Sequence, residues 1–116
     1  MSDKEPQVVR SSLFGSTRRT GALLVLQLLE SSYASEIAGI LRMPVSSIQL
    51  TLDKLEEDGV LVSETIGRER VYSWDMRCPA LSELRKLLAA LIWRESDLED
   101  AVERVRRRPR KRGKPL

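Results

Sequence analysis

Histidine is absent from this chain of 116 residues, and cysteine occurs once, at Cys78. One thiol cannot close an internal disulfide. With no imidazole and no second thiol, the usual zinc-ligand sets cannot be assembled, so neither a metal site nor a cofactor is expected. A glycine-rich phosphate loop following a strand is also missing. The carboxylates fall mostly on helix surfaces among Lys and Arg, a solvation pattern rather than paired acid and base. An enzyme is therefore not expected. Long apolar runs are lacking too. The opening "MSDKEPQVVRSS" has no apolar signal core, and "ALLVLQLL" (Ala22 to Leu29) is far short of the roughly 20 residues of a membrane span. The expectation is a cytoplasmic protein with no membrane partner.

What is present amounts to one small module. Hydrophobic residues make up 41% of the chain, enough for one modest core at this length and too little for two. The net charge of +3 hides an asymmetry, because the last eleven residues, "RRRPRKRGKPL", hold seven of the twenty Lys and Arg and no acid. The other 13 cations face 17 acids, a balance of −4. Basicity thus belongs to a tail, and an argument for nucleic-acid binding by the folded body must rest on particular residues.

From about Thr17 to Glu30, Ala22, Val25, Leu26 and Leu29 recur at helical spacing, and Leu24 and Leu28 widen the stripe into that of a buried helix. "YASEIAGILRM" carries a shorter pattern that stops at Met43-Pro44, since a residue before proline avoids helical geometry. In "VSSIQLTLDKLEEDGV", Ser46 and Gln49 match a capping box and Val45 and Leu50 its hydrophobic staple. Gly59 stands where a left-handed cap is wanted, so a third helix is expected over about 46–58. Ile48, Leu52 and Leu55 would be its core face. A hairpin follows, with strands over 60–65 and 69–74 joined through Gly67, and with Tyr72 and Trp74 on one side. A last helical pattern opens near Pro79 and closes at Pro109. Because "SDLE" (Ser96 to Glu99) is itself a capping box, that pattern is one helix or two.

Helix, helix, tight turn, helix and ribbon is the order of a winged helix-turn-helix, in which one helix enters a major groove and the ribbon reaches the flanking backbone. The expected fold class is mainly α with a β-hairpin wing, plus a long C-terminal helix. Arg68 and Arg70 would then sit at the wing tip, positioned for phosphates or a minor groove. The alternative for Arg70 is a cross-strand pair with Glu64.

"LFGSTRRTGALLVLQLLE", "SEIAGILRMPVSSIQLTLDKLEEDGVLVSE" and "GRERVYSW" resemble the ArsR-type winged-helix transcriptional regulators, in particular a small branch whose first helix begins LFGS-x-TR. The resemblance spans roughly Leu13 to Leu91 and implies a homodimer that binds double-stranded DNA and represses a promoter. Metal-sensing members carry a Cys-x-Cys pair at the start of the recognition helix; no cysteine stands there in this chain. The resemblance places Val45, Ser46, Ser47, Gln49 and Leu50 against DNA. Gln49 would either read adenine through its amide or serve as a cap. Leu50 would touch a thymine methyl or staple the helix. Lys54 and, in the turn, Arg42 are either phosphate contacts or solvated cations, whereas Asp53 would repel phosphate.

A single helix over 79–107 would be roughly 43 Å long at 1.5 Å per residue, more than so small a body can cover. Its excess stripe suits a two-fold mate. Leu81, Leu84, Leu88, Leu91, Ile92, Leu98 and Val102 are the candidate dimer interface, and two recognition helices about 34 Å apart would read a near-palindromic site. The expected organisation is a flexible arm (1–11), a DNA-binding domain (12–78), a dimerisation helix (79–107) and a disordered basic tail (108–116). The tail either lies along phosphates or is a solvated extension. An alternative function is a protein-interaction adaptor without specific DNA binding. No effector is indicated.

Overall fold

The computed structural model describes residues 7–107. In chain order they form α1 (Thr17–Leu29), β1 (Ser31–Tyr33), α2 (Ala34–Leu41), α3 (Val45–Glu57), β2 (Leu61–Ile66), β3 (Glu69–Trp74), α4 (Leu81–Ile92) and α5 (Ser96–Arg107). This is a mainly helical winged helix-turn-helix in which α2, a tight turn and α3 precede the hairpin wing. Among the described residues no helix is long and apolar enough to cross a membrane.

The core is organised around α1. The Ser16 side chain caps it by accepting the Arg19 N–H at 2.9 Å. Thr20 to Leu26 are then buried without interruption, the all-round burial expected of a helix with apolar residues on every side. Against it pack α3, α4 and α2. Ile48, Leu52 and Leu55 form the inward face of α3, as their spacing predicts. Arg42 closes α2 in a left-handed conformation (φ 61°), and Pro44 starts the next helix.

That start corrects the sequence reading. Pro44, with φ −63° and ψ 139°, is the N-cap of α3 and makes no side-chain cap bond; Val45 is already helical. Ser46 therefore lies one turn position too far in to cap, and the Ser46–Gln49 capping box does not form. Val45 and Leu50 are 48% and 70% exposed, so they form no staple either. Proline and serine both favour helix starts, and the fixed φ of proline took the earlier position. The other end follows expectation. Gly59 is left-handed (φ 83°), its N–H donates to Glu56 O at 3.0 Å, and the Val60 N–H donates to Leu55 O at 3.0 Å. These are the two bonds of a Schellman cap.

The sheet has three strands in the order β1-β3-β2, all antiparallel. The sequence reading missed β1, a three-residue strand pairing Ser32 with Tyr72. Between β2 and β3, Ile66 pairs with Glu69, which leaves Gly67 and Arg68 as a two-residue turn. Gly67 has φ 64°, the positive value such turns require. Alternation along β3 puts Tyr72 and Trp74 inside.

The long C-terminal helix is two helices. The N–H groups of Trp93, Arg94 and Glu95 bond to the carbonyls three residues back, at 3.3, 2.8 and 3.0 Å. This tightened turn ends α4, and α5 folds back along α2. The break is held by Glu95, which is buried and accepts the backbone N–H groups of Arg10 and Ser11 at 2.9 and 3.0 Å. The same contacts correct the arm. Of its residues 1–11, Val8 and Val9 are buried in the core, so the arm is anchored there, with Gln7 and Arg10 exposed on either side. The rest of the arm, and the basic tail over 108–116, lie outside the described residues.

Candidate nucleic-acid interface

α3 presents its amino-terminal half to solvent. Val45, Ser46 and Leu50 are exposed and Gln49 is half-buried. Ser47 turns back on the helix, its hydroxyl donating to Pro44 O at 2.9 Å. The carboxyl-terminal half carries Asp53, Glu56, Glu57 and Asp58, and the cations near it are paired. Lys54 Nζ lies 3.7 Å from Glu57 and 3.5 Å from Asp58. Arg19 lies 3.1 Å from Asp58, and its hydrogen bond, ahead of the opposing effect of burial, holds the Asp58 carboxyl below the usual carboxylate range. These exposed pairs contribute little to stability. Their effect is to occupy the cations of that half, which stays acidic because Asp53 and Glu56 remain beside them.

The hairpin is fastened to α3 by a polar cluster. The Tyr72 hydroxyl on β3 donates to Asp53 Oδ1 at 2.8 Å. Gln49 Nε2 donates both to Asp53 Oδ1 at 3.1 Å and to the Tyr72 hydroxyl oxygen at 2.7 Å. Burial, then the hydrogen bond and charge of Asp53, push the Tyr72 phenol above its ordinary value. Beyond the cluster, Arg70 Nη2 lies 3.5 Å from Glu56 Oε1 on α3. Arg70 therefore pairs with the helix and not with Glu64, whose cross-strand neighbour is Val71. Gln49, Asp53, Glu56, Glu57 and Arg70 line one open groove of about 710 Å³.

Val45, Ser46, Gln49 and Leu50 lie on the first turns of α3, and Arg68 is exposed in the turn of the hairpin bonded to that helix. Lys54 and Arg70 are placed alongside acids. Arg42 is exposed at the head of the turn. Sequence reading missed Tyr72 and Asp53 as organisers of this face, and Glu56 as the partner of Arg70. The signal available for Gln49 was its i,i+4 spacing to Asp53; nothing local connects either residue to Tyr72.

The candidate interface on the C-terminal helices divides. Leu88 and Leu98 are fully buried within the chain, so the surface assigned to a partner is occupied by their own core. Leu81, Leu84, Leu91, Ile92 and Val102 are half-buried. Leu87, 44% exposed, and Trp93, 87% exposed, were not among the expected residues. Leu87 lies on the outward side of α4, and Trp93 is the C-cap residue of that helix. Among the described residues no group of three or more His, Cys, Asp or Glu is placed to hold a metal ion.

No family model matches the chain, and no curated protein matches its sequence. Among solved structures it is similar to the crystal structure of the AntR antimony-specific transcriptional repressor, with 16% identity and a TM-score of 0.50 over 69% of this chain and 68% of that one. At that identity the likeness carries the winged-helix fold.

Proposed function

We propose that this chain is a sequence-specific double-stranded DNA-binding transcriptional regulator. In this reading the first turns of α3 enter a major groove and the Arg68 turn reaches the flanking backbone. The observation that carries it is the bonding of helix to wing through Gln49 and Tyr72, with Val45, Ser46 and Leu50 on the helix and Arg68 in the hairpin turn left exposed. A solved transcriptional repressor with the same fold supports regulation, with repression as its direction. The half-buried and exposed apolar residues of α4 and its C-cap, from Leu81 to Trp93, support a homodimer reading a near-palindromic operator in the cytoplasm. The working division is a DNA-binding part through about residue 78, a dimerisation part over 79–107, and a basic tail.

Antimony sensing is not carried over from that neighbour, because Cys78 is the sole thiol of this chain. A second reading, a protein-interaction adaptor, is favoured by the acid-lined groove between α3 and Arg70. Titrating the full chain with a random-sequence duplex at rising salt separates the two. A regulator shows binding whose logarithm falls with log salt by about 0.9 per phosphate contact, beyond what a detached peptide of residues 106–116 shows. Equality with that peptide would remove the DNA reading.

A further inference from the structure

Gln49 occupies the second turn of α3 with its amide aimed at the wing. Asp53 and Tyr72 decide which way round that amide lies. An ionised carboxylate only accepts, so the Gln49 atom 3.1 Å from Asp53 Oδ1 is the nitrogen. The Tyr72 hydroxyl has one proton, and it goes to the same Asp53 oxygen at 2.8 Å. Toward Gln49 the hydroxyl can therefore only accept, and it does so at 2.7 Å. An amide nitrogen has two hydrogens. One is directed to Asp53 and the other to Tyr72, in bent bonds because the two acceptors stand only 2.8 Å apart, which leaves the carbonyl oxygen as the side-chain group of Gln49 open to a base.

We infer that Gln49 is a specificity residue that reads an exocyclic amine through its carbonyl oxygen alone, and that Tyr72 and Asp53 are the positioning residues that impose this polarity. The inference rests on the DNA-reading role proposed above for α3 and deepens it. In a major groove the exocyclic amines belong to adenine N6 and cytosine N4, whereas guanine O6 and thymine O4 are acceptors that an oxygen repels. One base of each half-site is therefore adenine or cytosine, to the exclusion of guanine and thymine. A glutamine with a free N–H would instead grip adenine through both N6 and N7 and reject cytosine.

The test is selection of duplexes from a randomised pool by the full chain, run in parallel with four variants. The wild type enriches sites with one position held to adenine or cytosine. Gln49→Ala loses that restriction and binds the best site roughly 2- to 12-fold more weakly, the size of one net hydrogen bond. Tyr72→Phe keeps the ring and frees one amide hydrogen, so the position narrows to adenine. Asp53→Ala, at an exposed site, releases a hydrogen in the same way and serves if the phenylalanine variant does not fold. Asp53→Asn retains an accepting oxygen and keeps the wild-type preference, with uniformly tighter binding because a negative charge is gone. A Gln49-dependent position rich in guanine or thymine would overturn the inference, as would a preference unchanged in both Tyr72→Phe and Asp53→Ala. A preference unaltered by Gln49→Ala would overturn it while leaving duplex reading intact. Absence of any enriched site for the wild type would end the DNA reading, and this inference with it.

Discussion

Two helices flank the buried α1, and they use their surfaces in opposite ways. α3 sinks one residue per turn, Ile48, Leu52 and Leu55, and around the exposed Val45 and Leu50 it leaves outside hydroxyl, amide and charge, tied to the wing by Tyr72 and Arg70. α4 fully buries only Leu88, and beside its half-buried leucines it leaves Leu87, Ala89 and Ala90 in water. A polar face held by directed bonds suits a ligand that is read atom by atom. An apolar face without directed bonds suits burial against another such face. Under the proposed function, the polar face of α3 is the reading surface and the apolar face of α4 the assembly surface of one small body.

The most direct way to break that division is Leu87→Glu. If α4 is the assembly face, the variant sediments as a monomer at micromolar concentration, and its affinity for a two-half-site operator falls by on the order of 10² to 10⁴ as the half-sites lose their linkage. Its folding stability changes by no more than about 0.5 kcal/mol, as for a surface site. The neighbouring Leu88→Ala inverts the pattern. It empties a core position and costs roughly 2 to 5 kcal/mol in chemical denaturation, while the folded fraction still dimerises. A Leu87→Glu chain that remains dimeric would move assembly elsewhere. On the other face, Arg68→Ala lowers the slope of log affinity against log salt by about 0.9, the loss of one phosphate contact, with base preference unchanged. A smaller effect of opposite sign is expected from Glu56→Gln, which releases Arg70 from its pair and tightens binding in low-salt titrations without altering the selected site.

Sequence patterns made the two faces legible to different degrees. The inward stripe of α3 and its Gly59-Val60 cap are local, set within a few residues, and both appear where spacing puts them. The first turn of α3 is local too, but Pro44 and Ser46 are both good helix starters, and spacing alone cannot rank them. β1 is three residues long, and its strand character comes from pairing with Val71 to Ser73, some forty positions away. The break between α4 and α5 has the same origin. Glu95 reads as a lone polar gap in a leucine stripe, and its function becomes visible only when the backbone of Arg10 and Ser11 arrives to satisfy the carboxylate. For the candidate site, the exposed positions on α3 and the turn at Gly67-Arg68 were legible. The partners that orient Gln49 and Arg70 were not, because Tyr72 and Glu56 reach them across the helix–wing interface.

That interface also titrates, and the α3 face can be tested through it without any DNA. Burial and the adjacent Asp53 both oppose a tyrosinate at Tyr72, and they outweigh the Gln49 N–H and the Arg70 charge that favour it, so the folded chain holds the phenol proton to a pH above the ordinary value of 10.0. The unfolded chain releases it near that value. Stability contributed by the neutral phenol is therefore complete below pH 10.0 and is lost as pH rises through the higher folded value. Urea midpoints measured from about pH 9 to about 11.5 should fall more steeply for the wild type than for Tyr72→Phe, since lysines titrate alike in both chains. The difference isolates one hydroxyl. Parallel curves would mean that the Tyr72–Asp53 bond does not hold helix to wing in solution, and the reading face would then be no more ordered than the assembly face.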